Sequence, residues 1–472
     1  MTKKNVVFLF ADDLKYSTIH AINNQDIITP NLDALCKNGT TFTNAHIPGG
    51  SWAAVCQPSR AMVNTGRSLF HLEGLGANIP EEHALLGETM QMNGYNSFGT
   101  GKWHNCTRSY ARSFNCGAEV FFGGMYDHWK VPLYSFDKTG QYPNRHIDVF
   151  SPGYDNIEQI RIYDHHRGGT HSTDLFADTA CDFIRSYEDE KPFFIYCAFM
   201  APHDPRTMPH KYKDMYDVDK ISLPENFLPE HPFDFGIKDV RDERLLPQPR
   251  DPRRVKSEIR DYYAMITHVD DAVGKVIQAL KDTGKYEDTI IIFSADNGLA
   301  VGEHGLLGKQ SNYDHSIRVP FIISGPGIPK NEIRDQFIYL YDIFPTVCEL
   351  TGAAVPESVE GISFAKTITD NQQQTRDHIF AVFGDKVRSY KTKKWKLIEY
   401  KCGDLRRTQL FDLEADPYEM HDLFWTAEAQ PIVKELREKL YQDAVAWGDL
   451  DTNIGQTFWC EYRTAKPEEW SL

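Results

Sequence analysis

Short, uninterrupted apolar runs punctuate the chain: NVVFLF (5–10), FFIYCAFM (193–200), TIIIFSA (289–295) and VPFIIS (319–324), with YNSFGT (95–100) as a weaker fifth. They do not alternate apolar with polar residues, as a strand with one wet face does. Continuous runs are expected of parallel strands covered by helices on both faces. Helical periodicity fills the intervals. TPNLDALCKNG (29–39) has Thr29 at a cap, Pro30 at the first helical position and Gly39 at its close. STDLFADTACDFIRSY (172–187) and EIRDYYAMITHVDDAVGKVIQALKDTG (258–284) carry apolar residues at three-and-four spacing. The alternation predicts an α/β fold, a large mostly parallel sheet between helices.

Two stretches lack this rhythm. Residues 105–170 mix aromatics, Gly, His and Arg, and 204–255 are rich in Pro and charge; both read as long loops. Beyond about residue 375, HIFAVFGDKVRSYKTKKWKLIEY (378–400) and TQLFDLEADPYE (408–419) predict antiparallel strands, followed by a last helix. The expected division is a larger unit over 1–375 and a smaller α+β subdomain over 376–472.

Composition narrows the function. With 472 residues and 41% hydrophobic content, a sizeable core is available. A net charge of −16 argues against nucleic acid, whose binding needs basic stripes. No run is long and apolar enough to span a bilayer. The start, Met1-Thr-Lys-Lys, leaves no room for a signal peptide before the first strand. The compartment stays open: the periplasm or exterior if a leader has been removed, and otherwise the cytosol. Nine cysteines are sparse and form no metal knuckle; Cys106 and Cys116 are near enough in sequence to pair across a loop.

Candidate chemistry collects at the carboxyl ends of the apolar runs, where open α/β sheets bind ligands. Asp12-Asp13, Lys102-Trp103-His104, His203 and Asp296-Asn297 each follow a different run. Asp12, Asp13, Asp296 and Asn297 supply hard oxygens, which suit Ca²⁺ or Mg²⁺ but not zinc. Arg60, Lys102, His104, His203 and Lys309 could surround an anion, and either histidine could protonate a leaving oxygen. Cys56 precedes Pro58 at a predicted helix start, where the helix dipole would acidify a thiol. A soft thiolate beside an oxygen-ligated cation is a poor match, and an oxygen nucleophile would suit the position better.

These residues resemble the type I, formylglycine-dependent sulfatases of the alkaline phosphatase superfamily. The signature Cys-x-Pro-Ser-Arg stands here as Cys56-Gln57-Pro58-Ser59-Arg60. Around it fall Asp12-Asp13, GKWH (101–104), APHDP (201–205), SADNG (294–298), HGLLGK (304–309), RVPFIISGPG (318–327) and LFDLEADPYE (410–419), in the family's order. The segment DDLKYS (12–17) is most similar to the iduronate-2-sulfatase-like, polysaccharide-degrading branch, although many relatives have Gly where Lys15 stands.

The resemblance implies an alkaline-phosphatase-like fold with its catalytic domain in 1–375. It implies that a separate maturation enzyme oxidises Cys56 to formylglycine, whose hydrate attacks sulfur and later expels sulfate. Asp12, Asp13, Asp296 and Asn297, with the residue at position 56, would hold one Ca²⁺. Arg60 and Lys102 would steady the hydrate, and His104 would assist breakdown of the sulfated intermediate. His203 and Lys309 would contact the sulfate and help the leaving oxygen. The expected substrate is a sulfated carbohydrate, such as ulvan, carrageenan or glycosaminoglycan fragments, with His165, His166, Arg167 and His171 as candidate sugar contacts. A polysaccharide degrader works in the periplasm or outside the cell, the compartment expected if a leader has been removed. Alternatives are a phosphonate monoester or phosphodiester hydrolase, or an inactive binder of anionic glycans.

Overall fold

The computed structural model describes residues 3–51, 54–143, 146–150 and 159–460. Eight strands form the main sheet: β1 (Asn5–Ala11), β2 (Gly39–His46), β3 (Asn96–Lys102), β4 (Cys116–Phe121), β5 (Phe193–Ala198), β6 (Thr289–Ala295), β7 (Arg318–Ser324) and β8 (Glu332–Tyr339). Their spatial order is β8-β2-β7-β6-β1-β5-β3-β4. Why the runs are continuously apolar is visible in β1. Val6, Phe8 and Phe10 enter the core on one face, and Val7, Leu9 and Ala11 enter a second core on the other.

The strands β4, β3, β5, β1 and β6 are mutually parallel, as expected. The run at 319–324 is the exception: β7 is antiparallel to both β6 and β2. It is buried on both faces like its neighbours, so its composition carries no sign of its direction. Its register with β2 slips between Val319 and Phe321, at Pro320, which has no N–H for the ladder. The Pro320 carbonyl instead accepts from Ser294 Oγ at 2.7 Å.

The helices form mostly where expected. In α1 (Pro30–Lys37), Pro30 stands at the first turn, but Thr29 makes no side-chain cap bond. Asp270 caps it from outside, accepting from Leu32 N at 2.7 Å and Asn31 N at 3.1 Å. Helix α2 spans Cys56–Thr65 and α3 spans Ser172–Ser186. The long helix α4 (Pro252–Asp282) starts earlier than its apolar periodicity shows. Asp251 caps it by accepting from Arg254 N at 2.9 Å, and Pro252 takes the first turn. Residues 105–170 are not one loop; they contain the helix Thr107–Ser113, β4 and the hairpin His146–Phe150/Gln159–Tyr163.

Strands β9 (Ile379–Phe383), β10 (Val387–Lys391), β11 (Trp395–Cys402) and β12 (Leu405–Asp412) make an antiparallel meander. Helix α5 (Gln430–Ala446) packs Val433, Leu436 and Leu440 into the core beside it. A fifth strand comes from far away: Gly49–Gly50 pairs in parallel with β9. Only glycine fits at position 49, where φ is +88° and a Cβ would lie 1.9 Å from the Val382 carbonyl oxygen. This pairing ties the smaller sheet to the chain just before Cys56.

All nine cysteines are unpaired. Cys106 does not bridge to Cys116; their sulfurs lie against Ser109 Oγ at 3.3 Å and the Ser97 carbonyl at 3.7 Å. Among the described residues, no helix is long and apolar enough to cross a membrane.

Candidate active site

Four strand ends deliver the chemistry to one place. Asp12 and Asp13 follow β1, Lys102 closes β3 with His104 just beyond, His203 follows β5, and Asp296 and Asn297 follow β6. The ends are laced together by main-chain bonds, Asp12 N to the Ala201 carbonyl and Asp296 N to the Ala11 carbonyl, each 3.2 Å. Asp13 N donates to Asp296 Oδ1 at 3.1 Å. Two residues leave their strands through left-handed backbone, Asp13 (φ +61°) and His104 (φ +65°), and such strain clusters at functional sites.

Helix α2 presents Cys56 as its first residue, as the signature predicts, and Cys56 is buried. Lys102 Nζ and Lys309 Nζ stand 3.8 and 3.7 Å from its sulfur. One turn along, the wholly buried Arg60 clamps the cluster from below. Its Nε donates to Asp296 Oδ2 at 2.9 Å, its Nη1 to the Lys102 carbonyl at 2.7 Å, and its Nη2 lies 3.5 Å from Asp12. Ser59 Oγ donates to the Asp296 carbonyl at 2.5 Å.

Charges are matched in pairs. Lys102 binds Asp12, and Lys309 binds Asp13 at 2.6 Å. Burial alone would raise both carboxylates, but Lys102 and Arg60 outweigh it at Asp12, and Lys309 and His203 outweigh it at Asp13, holding both below the ordinary range. At Asp296, burial and then the like charge of Asp12 win, pushing it up to about 7. His203 Nε2 lies 3.5 Å from Asp13, while its Nδ1 donates to the Asp204 carbonyl at 2.8 Å. Burial lowers His203 to about 4 against the pull of Asp13, and burial holds His104 well below the usual imidazole value, with Lys102 and Arg60 adding to it.

The thiol departs from expectation. Helix-start geometry and two lysines should acidify Cys56, yet burial dominates and pushes it up to about 11. Removing a thiolate's hydration costs more here than Lys102 and Lys309 return. An unmodified Cys56 is therefore a poor nucleophile at neutral pH.

Two buried oxygens in the cluster have no partner, Asp12 Oδ1 and Asn297 Oδ1. Asn297 Nδ2 donates to Asp13 Oδ1 at 2.7 Å and to the Gly298 carbonyl at 2.9 Å, which turns its oxygen out of that pairing. Oxygens of Asp12, Asp13 and Asp296 lie within 4.8 Å of one another. Orphaned acceptors in an all-oxygen set fit a hard divalent cation.

The expected sugar contacts fare differently. His171 is buried and works structurally. Its Nδ1 caps α3 by accepting from Thr173 N, its Nε2 donates to the Thr207 carbonyl at 2.9 Å, and its ring stacks on His128 at 4.9 Å. No face of it remains for a ligand. His165 and Arg167 both turn to Glu119, at 2.8 and 2.9 Å. His166 is exposed, near Tyr163. Lys15 lies buried in an ion pair with Glu303. Between Lys15 and the acid cluster stands Tyr262, whose hydroxyl donates to the Asp13 carbonyl at 2.7 Å and accepts from Lys15 N at 3.1 Å. Nothing in the sequence distinguished Tyr262 from the other buried positions of α4.

Comparison with known proteins places the whole chain. The sulfatase family profile matches residues 4–353, and that of the N-sulphoglucosamine sulphohydrolase C-terminal region matches 302–446. An ulvan-active sulfatase of Formosa agariphila is 28% identical over 464 residues, covering 95% of this chain and 82% of its own. A structure solved in complex with its substrate D-glucosamine-2-N,6-O-disulfate superposes with a TM-score of 0.72 at 21% identity, covering 95% of this chain and 99% of the other. The phosphonate monoester hydrolase of Agrobacterium radiobacter superposes at 0.71 with 19% identity, covering 94% and 96%. The chain belongs to the sulfatase family: it is a sulfuric ester hydrolase built on the alkaline-phosphatase-like fold.

Proposed function

We propose that this enzyme removes sulfate from a sulfated carbohydrate, with Cys56 converted to formylglycine by a separate maturation enzyme and one Ca²⁺ held by Asp12, Asp13, Asp296 and Asn297. The observation that carries the reading is the convergence on Cys56 of three carboxylates, two orphaned oxygens and two lysines from separate strand ends and loops. A hydrated aldehyde at position 56 supplies an oxygen nucleophile, and the cation supplies Lewis-acid stabilisation of the sulfate oxygens.

The chain's own residues do the rest. Asp12, Asp13 and Asp296 balance Arg60, Lys102 and Lys309, so a divalent cation makes the pocket net positive, the sign an anionic ester requires. Lys102 and Lys309, 3.8 and 3.7 Å from the sulfur at position 56, hold the sulfate over it with charge-assisted bonds. Arg60 stays below the reacting atoms and fixes Asp296 and the Lys102 main chain. His203, with its Nδ1–H committed to the Asp204 carbonyl, presents a bare Nε2 to the site within 4.8 Å of position 56; it takes the proton that the attacking hydroxyl gives up and passes it to the leaving oxygen. His104, buried and held neutral, is the base for the second half of the reaction. A carbohydrate substrate is supported by the ulvan-active relative and by the neighbour solved with a disulfated glucosamine.

The test is free sulfate released from a panel of sulfated oligosaccharides, with Cys56 conversion verified by mass. Release from one class, abolished by Cys56→Ala, is expected. Substantial release by Cys56→Ala overturns the mechanism. Cleavage of aryl sulfates but of no carbohydrate overturns the substrate, and a preference for phosphonate monoesters by orders of magnitude overturns the reaction.

A further inference from the structure

The charged segment before α4 does not drift in solvent. Asp242–Arg244 is a single short turn, and its neighbours reach two separate catalytic loops. Arg241 grips the Asp204 carboxylate through both Nη atoms and donates to Asp242 Oδ1 at 2.7 Å. Asp204 is the residue whose main-chain oxygen takes the His203 Nδ1–H, and its Oδ1 lies 3.3 Å from the same nitrogen. The other oxygen of Asp242 accepts from Gln310 Nε2 at 2.8 Å, and Gln310 Oε1 accepts from Lys309 N at 3.0 Å.

Glu243, buried, continues the seam. Its Oε1 accepts from Leu307 N at 3.0 Å and Gly308 N at 2.8 Å, the residues just before Lys309. Arg250, also buried, holds Glu243 Oε2 at 2.5 Å and donates to the Gly305 carbonyl at 3.2 Å. The fit leaves no slack: a Cβ on Gly308 would lie 2.2 Å from Gln310 Oε1 and 3.1 Å from both Asp242 Cβ and Glu243 Oε1.

We propose that Arg241, Asp242 and Glu243 are positioning residues, a clasp that sets the distance between His203 and Lys309 and so governs assistance to the leaving oxygen. The inference rests on the roles proposed above for His203 and Lys309. His203 hangs from one arm of the clasp through Asp204, and Lys309 hangs from the other through Gln310 and the Leu307–Gly308 main chain. No clasp residue need touch the substrate. Misplacement of acid or cation by even a fraction of an ångström weakens proton transfer and charge neutralisation in the transition state more than it weakens ground-state binding.

The experiment measures kcat and KM of the fully converted enzyme on aryl sulfates whose leaving phenols range from strongly to weakly acidic. Arg241→Ala removes the His203 arm and Asp242→Ala cuts the Gln310 link of the Lys309 arm; both positions are only half-buried, so the fold survives. The expected loss in kcat/KM is about tenfold on 4-nitrophenyl sulfate and about a hundredfold on the poorest leaving group, within the range for outer-shell partners of a site. KM should change little, and Asp242→Asn, which keeps one acceptor, should recover part of the loss. Equal loss on every leaving group, or none, overturns the clasp. His203→Ala, run alongside, separates the two levels. If its own loss does not deepen as the leaving group worsens, the assigned role of His203 falls and the clasp with it. If it does deepen while both clasp variants stay flat, the clasp alone falls.

Discussion

Arg60→Met tests whether the acid cluster depends on the cation beneath it. Methionine has similar length and no charge. The substitution removes the 2.9 Å bond to Asp296, the 2.7 Å bond to the Lys102 carbonyl and the 3.5 Å approach to Asp12, all at a side chain with no solvent exposure. Three buried carboxylates then face only Lys102 and Lys309. Leaving one buried charge uncompensated costs about 3–5 kcal/mol. At about 2 cal/mol/K of unfolding entropy per residue, a 472-residue chain loses about 1 °C of Tm per kcal/mol, so the expected drop is about 3–5 °C. The assay is thermal unfolding in chelator and again in saturating Ca²⁺. Calcium should stabilise the parent by about 2.7 kcal/mol at a hundredfold excess over Kd, and the variant by more at the same concentration. It should also narrow the gap between them, because a cation among the oxygens neutralises the charge that Arg60 no longer meets. A Tm within 1 °C of the parent in chelator would refute the electrostatic argument, and a variant indifferent to calcium would refute the assignment of the oxygens to a cation.

Other outcomes follow from the same physics away from the site. Asp449 lies fully buried, paired with Arg388 at 2.6 and 2.9 Å and accepting from Trp459 Nε1 at 2.7 Å. Asp449→Ala should cost about 3–5 kcal/mol by unfolding, while the double change Arg388→Met with Asp449→Leu should recover much of it; equal loss in both would exclude an uncompensated charge as the cause. Asp270→Ala removes the external cap of α1, with an expected loss of about 1–2 kcal/mol and faster amide exchange at Asn31 and Leu32; unchanged exchange there would count against the capping role. At Asp174, burial works to raise the carboxyl, but His268 and Lys275 outweigh it and hold it below the ordinary range. A depressed folded value means stability that is full above the unfolded carboxylate pKa of about 3.9 and lost as pH falls through the folded one. Asp174→Asn should therefore make unfolding less pH-dependent below about pH 4, and identical slopes for the two proteins would remove that pair from the acid response.

Much of this protein was determined by sequence alone. Strand β1 is apolar at every position from Val6 to Ala11 because successive residues face different cores, and that requirement is written locally. The Cys56–Arg60 signature and the polar residues after four of the apolar runs marked the candidate site, because ligands bind at strand carboxyl ends. Only the tertiary structure decided the rest. The direction of β7 depends on which neighbours it meets, and a run buried on both faces composes itself alike either way. The cap of α1 comes from Asp270, on a helix far along the chain, although Thr29 stood in the expected place. His171 looked like a ligand in a polar loop and became a buried helix cap, since its exposure depended on where His128 and His268 packed. The thiol of Cys56 went up and not down because desolvation is a property of surroundings, and Arg241–Glu243 looked like solvated charge until the loops carrying His203 and Lys309 closed on it. Periodicity and residue type are local and survive in one dimension. Burial, charge partners and strand direction arise from contacts between distant segments, so they exist only once the chain has folded.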